Sequence, residues 1–135
     1  MVYFGTDRPY LIALDVLNGE EKWRFRAGSI VASSPAAADG TIYFGSHDSN
    51  FYAVDAVSGR EKWSFETGDH VGSSPAISDG VVYVGSCDNH LYALDALSGE
   101  EKWSFEAGSW IVSSPSVSGG MVYFGCEDRY LYAVE

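Results

Sequence analysis

The chain has 135 residues, 46% of them hydrophobic and 15% aromatic, a composition of globular rather than disordered proteins and a length sufficient for one domain with its own core. Eight basic residues against 19 acidic ones leave a net charge of −11; nucleic acid and anionic membrane surfaces both require a basic footprint and are excluded as partners. The acidity reads as a solvated surface, with a high-salt habitat or a cationic partner as alternatives, and the apolar runs, only a few residues long, fall far short of the roughly 20 that membrane insertion of a helix requires.

Met1 leads straight into Val2-Tyr3-Phe4, a predicted strand already in register with the later copies of the same words, so no targeting segment is expected at this end. Met1 also aligns with Met121, which leaves open an internal position in a longer parent. From Tyr3 to Trp23 the chain reads YFGTDRPYLIALDVLNGEEKW, and nearly the same words return after 40 residues, from Tyr43 to Trp63, and again from Tyr83 to Trp103. A fourth copy opens at Tyr123 and stops inside the motif at Glu135. A fixed period of this size marks a repeat architecture in which each unit buries its apolar face against the next.

Within a unit the elements are short strands. Outer strands are predicted at Glu61–Glu66 and Glu101–Glu106, and three further strands at Ser113–Ser118, Met121–Gly125 and Tyr130–Val134. The pairs Asp39-Gly40, Asp79-Gly80 and Gly119-Gly120 supply the turn chemistry of tight hairpins, and no stretch has helical periodicity. The expected fold is all-β: a β-propeller built from four-stranded antiparallel blades, bounded at about 1–27, 28–67, 68–107 and 108–135. The small Ser-Ser-Pro strand, with Pro35, Pro75 and Pro115 lacking an N–H, suits the crowded inner edge at the channel. The blades then contain three, four, four and three strands.

Each complete unit carries Ala-x-Asp-x-x-(Ser/Asn)-Gly-x-x-x-Trp. The instances are Ala13, Asp15, Gly19 and Trp23; Ala53, Asp55, Gly59 and Trp63; Ala93, Asp95, Gly99 and Trp103. The aspartate is expected to accept turn N–H groups, the glycine to take a positive φ, and the tryptophan to pack between blades beside the small alanine. The charged triplets before each tryptophan read as a solvated edge that blocks strand addition.

On these residues the chain resembles the pyrroloquinoline-quinone (PQQ) repeat family, over essentially its whole length. The Trp-Asp dipeptide of WD40 repeats is absent. The resemblance implies a propeller of which this chain is about half of an eight-bladed ring. It also implies two kinds of function. One is the quinoprotein dehydrogenase, with PQQ, calcium, an adjacent Cys-Cys pair, acidic ligands and a catalytic aspartate. The other is a non-catalytic relative similar to the outer-membrane assembly lipoprotein BamB, with an extracytoplasmic home. The sequence has no Cys-Cys pair, and none of those site residues can be carried onto it. The expected function is therefore a binding or assembly scaffold for a protein or small ligand, without cofactor. The alternatives are a part of a PQQ- and calcium-dependent dehydrogenase and a purely structural array.

The units disagree on one set of loops, where His47, Cys87, His90 and Arg129 fall, together with His70 and Trp110 on the connections between blades. That face is the candidate ligand surface. Taken as metal ligands, His47, His70, Cys87 and His90 match no standard zinc spacing, and solvated loop residues are the plainer reading, so no metal is expected. Trp110 is read as plugging the channel mouth or stacking on a planar ligand, and Asp48, Asp88 and Asp128 as hairpin formers rather than acid–base catalysts. Cys87 aligns with His47 but Cys126 with Ser46 and Ser86, so alternating strand faces disfavour a disulfide between them. Half a ring would expose two apolar faces; the expectation is a protein partner or self-association that completes the ring, or else a longer parent chain.

Overall fold

The computed structural model describes residues 1–135 and contains strands and turns without a helix. Four antiparallel sheets follow one another. The first joins β1 (Val2–Gly5), β2 (Tyr10–Leu14) and β3 (Glu21–Arg26); the second β4 (Ala36–Ala38), β5 (Thr41–Gly45), β6 (Asn50–Asp55) and β7 (Glu61–Glu66). The third joins β8 (Ala76–Ser78), β9 (Val81–Gly85), β10 (His90–Asp95) and β11 (Glu101–Glu106); the fourth β12 (Ser116–Ser118), β13 (Met121–Gly125) and β14 (Leu131–Val134). Neighbours in sequence are neighbours in each sheet, the up-and-down order of a propeller blade. The small strands are innermost: β8 approaches both β4 and β12, whereas the outer strands diverge.

Two predicted strands begin later than expected. The serine-proline segment enters the ladder only at Ser116, after Pro115, and the last strand starts at Leu131 rather than Tyr130. Proline offers no N–H, and the serine ahead of it makes its contacts through the side chain. The Ser113 hydroxyl accepts from the Gly125 N–H at 2.9 Å and donates to the Gly125 carbonyl at 2.8 Å.

Each hairpin between the inner two strands turns through consecutive positive φ values, 49° and 74° at Asp39-Gly40 and 57° and 79° at Gly119-Gly120. Such turns match the right-handed twist of the strands they join. Between the third strand and the fourth the register slips by one residue, as between Ala53 and Val54, so that Ala53 faces Trp63 while Val54 faces Glu61. The bulge turns the indole toward the next sheet.

The core lies between sheets rather than within one. Leu11 and Val31 meet Ile42, Phe44 and Val54 at the first junction, Phe51 and Trp63 meet Val82, Val84 and Leu94 at the second, and Leu91 and Ile111 meet Val122 and Phe124 at the third. A middle sheet is covered on both faces, which is why all five residues of β5 are buried, whereas β1 and β14 alternate between exposed and half-buried. Each fully buried side chain of this class contributes about 1.5–3 kcal/mol.

The repeated Asp-x-x-x-Gly turns hold these junctions. Asp55 Oδ1 accepts from the Val57 and Ser58 N–H groups at 3.0 and 2.8 Å, and Asp95 Oδ1 does the same for Leu97 and Ser98. Those bonds hold both carboxyls below their ordinary value. The preceding blade's tryptophan lies on the turn: Trp23 Nε1 donates to the Ala56 carbonyl and Trp63 Nε1 to the Ala96 carbonyl, both at 3.1 Å. A Cβ on Gly99 would stand 2.5 Å from the Trp63 ring. The glycine is thus required twice, for its φ of 76° and for the approach of the indole.

Candidate functional site

One face of the arc carries the loops in which the repeats differ. Each hairpin loop there is tied to the connection entering its own blade: His47 N–H donates to the Ile30 carbonyl, Cys87 N–H to the His70 carbonyl and Glu127 N–H to the Trp110 carbonyl, at 2.9–3.0 Å. This backbone frame repeats while its side chains change. Of the candidate residues, it brings His47 and His70 together, with rings stacked at 4.6 Å and an interplanar angle of 5°. Trp110 follows His70 by one period and is 54% exposed. Cys87 is half-buried, and burial, reinforced by Asp69, Asp88 and Glu127, raises its thiol pKa. His90 turns back on its own loop, with Nδ1 at 3.0 Å from the Asp88 carbonyl oxygen and its ring beside Tyr92. Arg129 is exposed at the tip of the last loop with a φ of 74°. Cys87 and Cys126 are both free thiols.

Asp48, Asp88 and Asp128 do more than form their hairpins. Asp48 Oδ1 accepts from the Asn50 N–H at 2.9 Å while Oδ2 reaches 20 residues back to the Gly28 N–H at 2.8 Å and also accepts from the Tyr52 hydroxyl. The same clasp joins Gly68, Asp88 and Tyr92, and then Gly108, Asp128 and Tyr132. Sequence reasoning did not find it, although a glycine 20 residues before each aspartate and a tyrosine four after it recur with the period. The first unit has Arg8 at that position and makes no such clasp.

Burial, and then the hydrogen bond to the neighbouring carboxylate, raises the Tyr52 and Tyr92 hydroxyls well above their ordinary value of 10.0. The raised pKa means that the unfolded chain ionises first, so this stability is whole below about pH 10 and is lost as pH climbs beyond it. The melting temperature is expected to fall steeply past that point, and Tyr52→Phe with Tyr92→Phe to flatten the fall. A circular-dichroism melt series against pH checks this; an equally steep fall in the double variant would overturn the assignment.

The opposite face, where the turns are alike, holds a cavity of about 290 Å³ lined by Tyr83, Trp103, Val117, Val122, Asp79 and Glu135, among others. It occupies the place that, beside Trp23 and Trp63, is filled by the next blade's Asp-x-x-x-Gly turn.

No three His, Cys, Asp or Glu side chains converge to hold a metal ion. The two cysteines stand in different blades rather than side by side. No helix is long and apolar enough to cross a membrane.

Comparison with known proteins separates fold from function. The BamB structure from Moraxella catarrhalis superimposes with a TM-score of 0.86 at 21% identity, over 97% of this chain and 45% of that one. The chain therefore spans less than half the length of that relative. The computationally designed Ika4 protein matches with a TM-score of 0.88 at 18% identity, over 98% of this chain and 82% of Ika4. A quinohemoprotein alcohol dehydrogenase from Pseudomonas putida matches with a TM-score of 0.81 at 19% identity, over 91% of this chain and 26% of the enzyme. At such identities these likenesses establish the propeller fold alone. No curated protein matches the sequence. The family profile described as outer membrane protein assembly factor BamB matches residues 1–74 and 66–135, so, with both matches overlapping to span every repeat, the chain belongs to this PQQ-repeat propeller family.

Proposed function

We propose that the chain is a non-catalytic scaffold that binds a protein partner through its variable loop face, in an extracytoplasmic compartment and without a cofactor. The observation that carries this reading is the row Ile30, His70, Trp110: three exposed side chains, one per junction, held at one register position by the same backbone hydrogen bond. An exposed tryptophan on the same face as a stacked histidine pair offers the amphipathic surface from which binding hot spots are made. The family's description as an assembly factor supports the same class and compartment. A photocrosslinking residue at position 110 should capture a discrete protein in the source cells, while one at position 17, on the opposite face and 91% exposed, should not. Equal adducts at both positions, or none at 110, would sink the reading. The dehydrogenase alternative predicts quinone absorbance and dye reduction when PQQ and calcium are added; their appearance would replace the scaffold reading. A purely structural array predicts no adduct at all.

A further inference from the structure

We propose that the Trp110 indole receives an arginine side chain of the protein partner, laid flat on the ring face that Cys87 is too small to cover. The inference rests on the loop-face reading and gives that contact its chemistry.

The second junction shows what fits. Val71 N–H donates to the Ser46 carbonyl at 3.0 Å, which sets His70 beside His47, and the two rings stack in parallel. One period on, Ile111 N–H donates to the Ser86 carbonyl at 3.1 Å and sets Trp110 beside Cys87 in the same way. An indole thus stands where His70 stood, and a thiol replaces the imidazole that would cover it. No aromatic ring of the chain pairs with Trp110, and the one cation above a ring, Arg24, sits on Tyr10. Both loops that flank Trp110 lie within the arc. The His70 side chain, between complete blades, is 54% exposed too, so the openness belongs to the register position.

Shape and sign of the guest follow. The stacked histidines show that a flat group fits at this register, and the face of an indole attracts a cation. Burial first, and then the charges of Asp69, Asp88 and Glu127, raise the Cys87 thiol pKa, which places three carboxylates about this spot. Asp88 is already committed to Gly68, His90 and Tyr92; half-exposed Asp69 and exposed Glu127 are left for a guest. The chain's own Arg129, two residues beyond Glu127, forms neither an ion pair nor a ring contact. Guanidinium is both flat and permanently charged, and its N–H fork reaches a carboxylate while its plane lies on a ring. Lysine offers the charge without the plane, and a neutral ring offers the plane without the charge.

The test follows the indole N–H signals by NMR at pH 8 under reducing conditions; the Trp110 signal is the one that Trp110→Phe removes. The probe is a blocked glycine-arginine-glycine peptide, compared with its lysine and citrulline counterparts. The arginine peptide should move the Trp110 signal and leave that of Trp63 in place. Citrulline, flat but uncharged, should bind about fivefold more weakly, and Glu127→Gln should weaken the arginine peptide about twofold. Cys87→His supplies the covering ring and should abolish the shift, whereas Cys87→Ala, still small, should retain it. An unmoved Trp110 signal, equal binding of citrulline and arginine, or a shift that survives Cys87→His would overturn the proposal. If Cys87→His fails to fold, the citrulline comparison still decides. A protein adduct from position 110 with an unmoved indole signal leaves the scaffold and removes its arginine; a moved signal with no adduct does the reverse.

Discussion

Trp63→Ala should remove about 3–5 kcal/mol of unfolding free energy, a large part of the roughly 5–15 kcal/mol that a domain of this size possesses. Trp63 is 9% exposed at the central junction, with Tyr43 and Phe51 against its ring and the Gly99 turn beneath it. The truncation leaves a cavity between two sheets and removes one of the two hydrogen bonds to the Ala96 carbonyl, which keeps that from the Tyr43 hydroxyl at 3.1 Å. Trp103→Ala should cost less than half as much. Its ring borders the open cavity at Val122 and Glu135, where no turn covers it. In a repeat protein the loss also has a place: nearest-neighbour coupling fails at the second junction, so the first two sheets and the last two should unfold less cooperatively. Urea denaturation should therefore show a lower midpoint and a shallower slope for Trp63→Ala, but only a lower midpoint for Trp103→Ala. Equal costs for the two would mean that the indole contributes through its own blade and not through the next one.

The blade was legible because its signals are local and repeated. Asp39-Gly40 and Asp79-Gly80 determine the inner hairpin by their backbone conformation, and Ala53, Asp55, Gly59 and Trp63 recur where the fourth strand must leave the third. Repetition then averaged out the ambiguity of short apolar runs. The clasp of Gly28, Asp48 and Tyr52 was harder to see because Asp48 reaches 20 residues back for one member and four residues on for the other. A sequence read one hairpin at a time assigns Asp48 wholly to its own turn. The serine-proline strand was overextended for a related reason: Ser113 satisfies Gly125 through its hydroxyl, a bond that strand periodicity does not encode. The loop face was marked by disagreement among the units, but disagreement names positions, not contacts. That His47 stacks on His70 while His90 folds back on Asp88 depends on which loops adjoin across a junction. The cavity beside Trp103 lies on the face whose turns look alike, where no difference among the units marks it.

Gly99→Ala should be nearly as damaging as loss of the tryptophan, although it adds a single methyl group. Two costs combine. An L-residue at a φ of 76° loses about 1–2 kcal/mol to the left-handed conformation. The new Cβ would also fall 2.5 Å from the Trp63 ring, and forcing the indole away from a packed junction costs about 1–3 kcal/mol more. Gly19→Ala separates the two contributions. Its φ is 73°, almost the same, yet nothing lies within 4 Å of a Cβ there. It should lose only the conformational part. Gly99→Asn sharpens the comparison, since asparagine tolerates positive φ but still carries a Cβ; it should retain most of the damage of alanine. Chemical denaturation of the three variants, with tryptophan fluorescence reporting the Trp63 environment, measures both contributions. If Gly99→Ala and Gly19→Ala shift the midpoint equally, the turn matters only for its conformation and the indole does not rest on it. A larger shift for Gly99→Ala, with a changed emission spectrum, means that the junction itself is what a Cβ disturbs, and that the repeat keeps glycine there for its neighbour's sake as much as for its own turn.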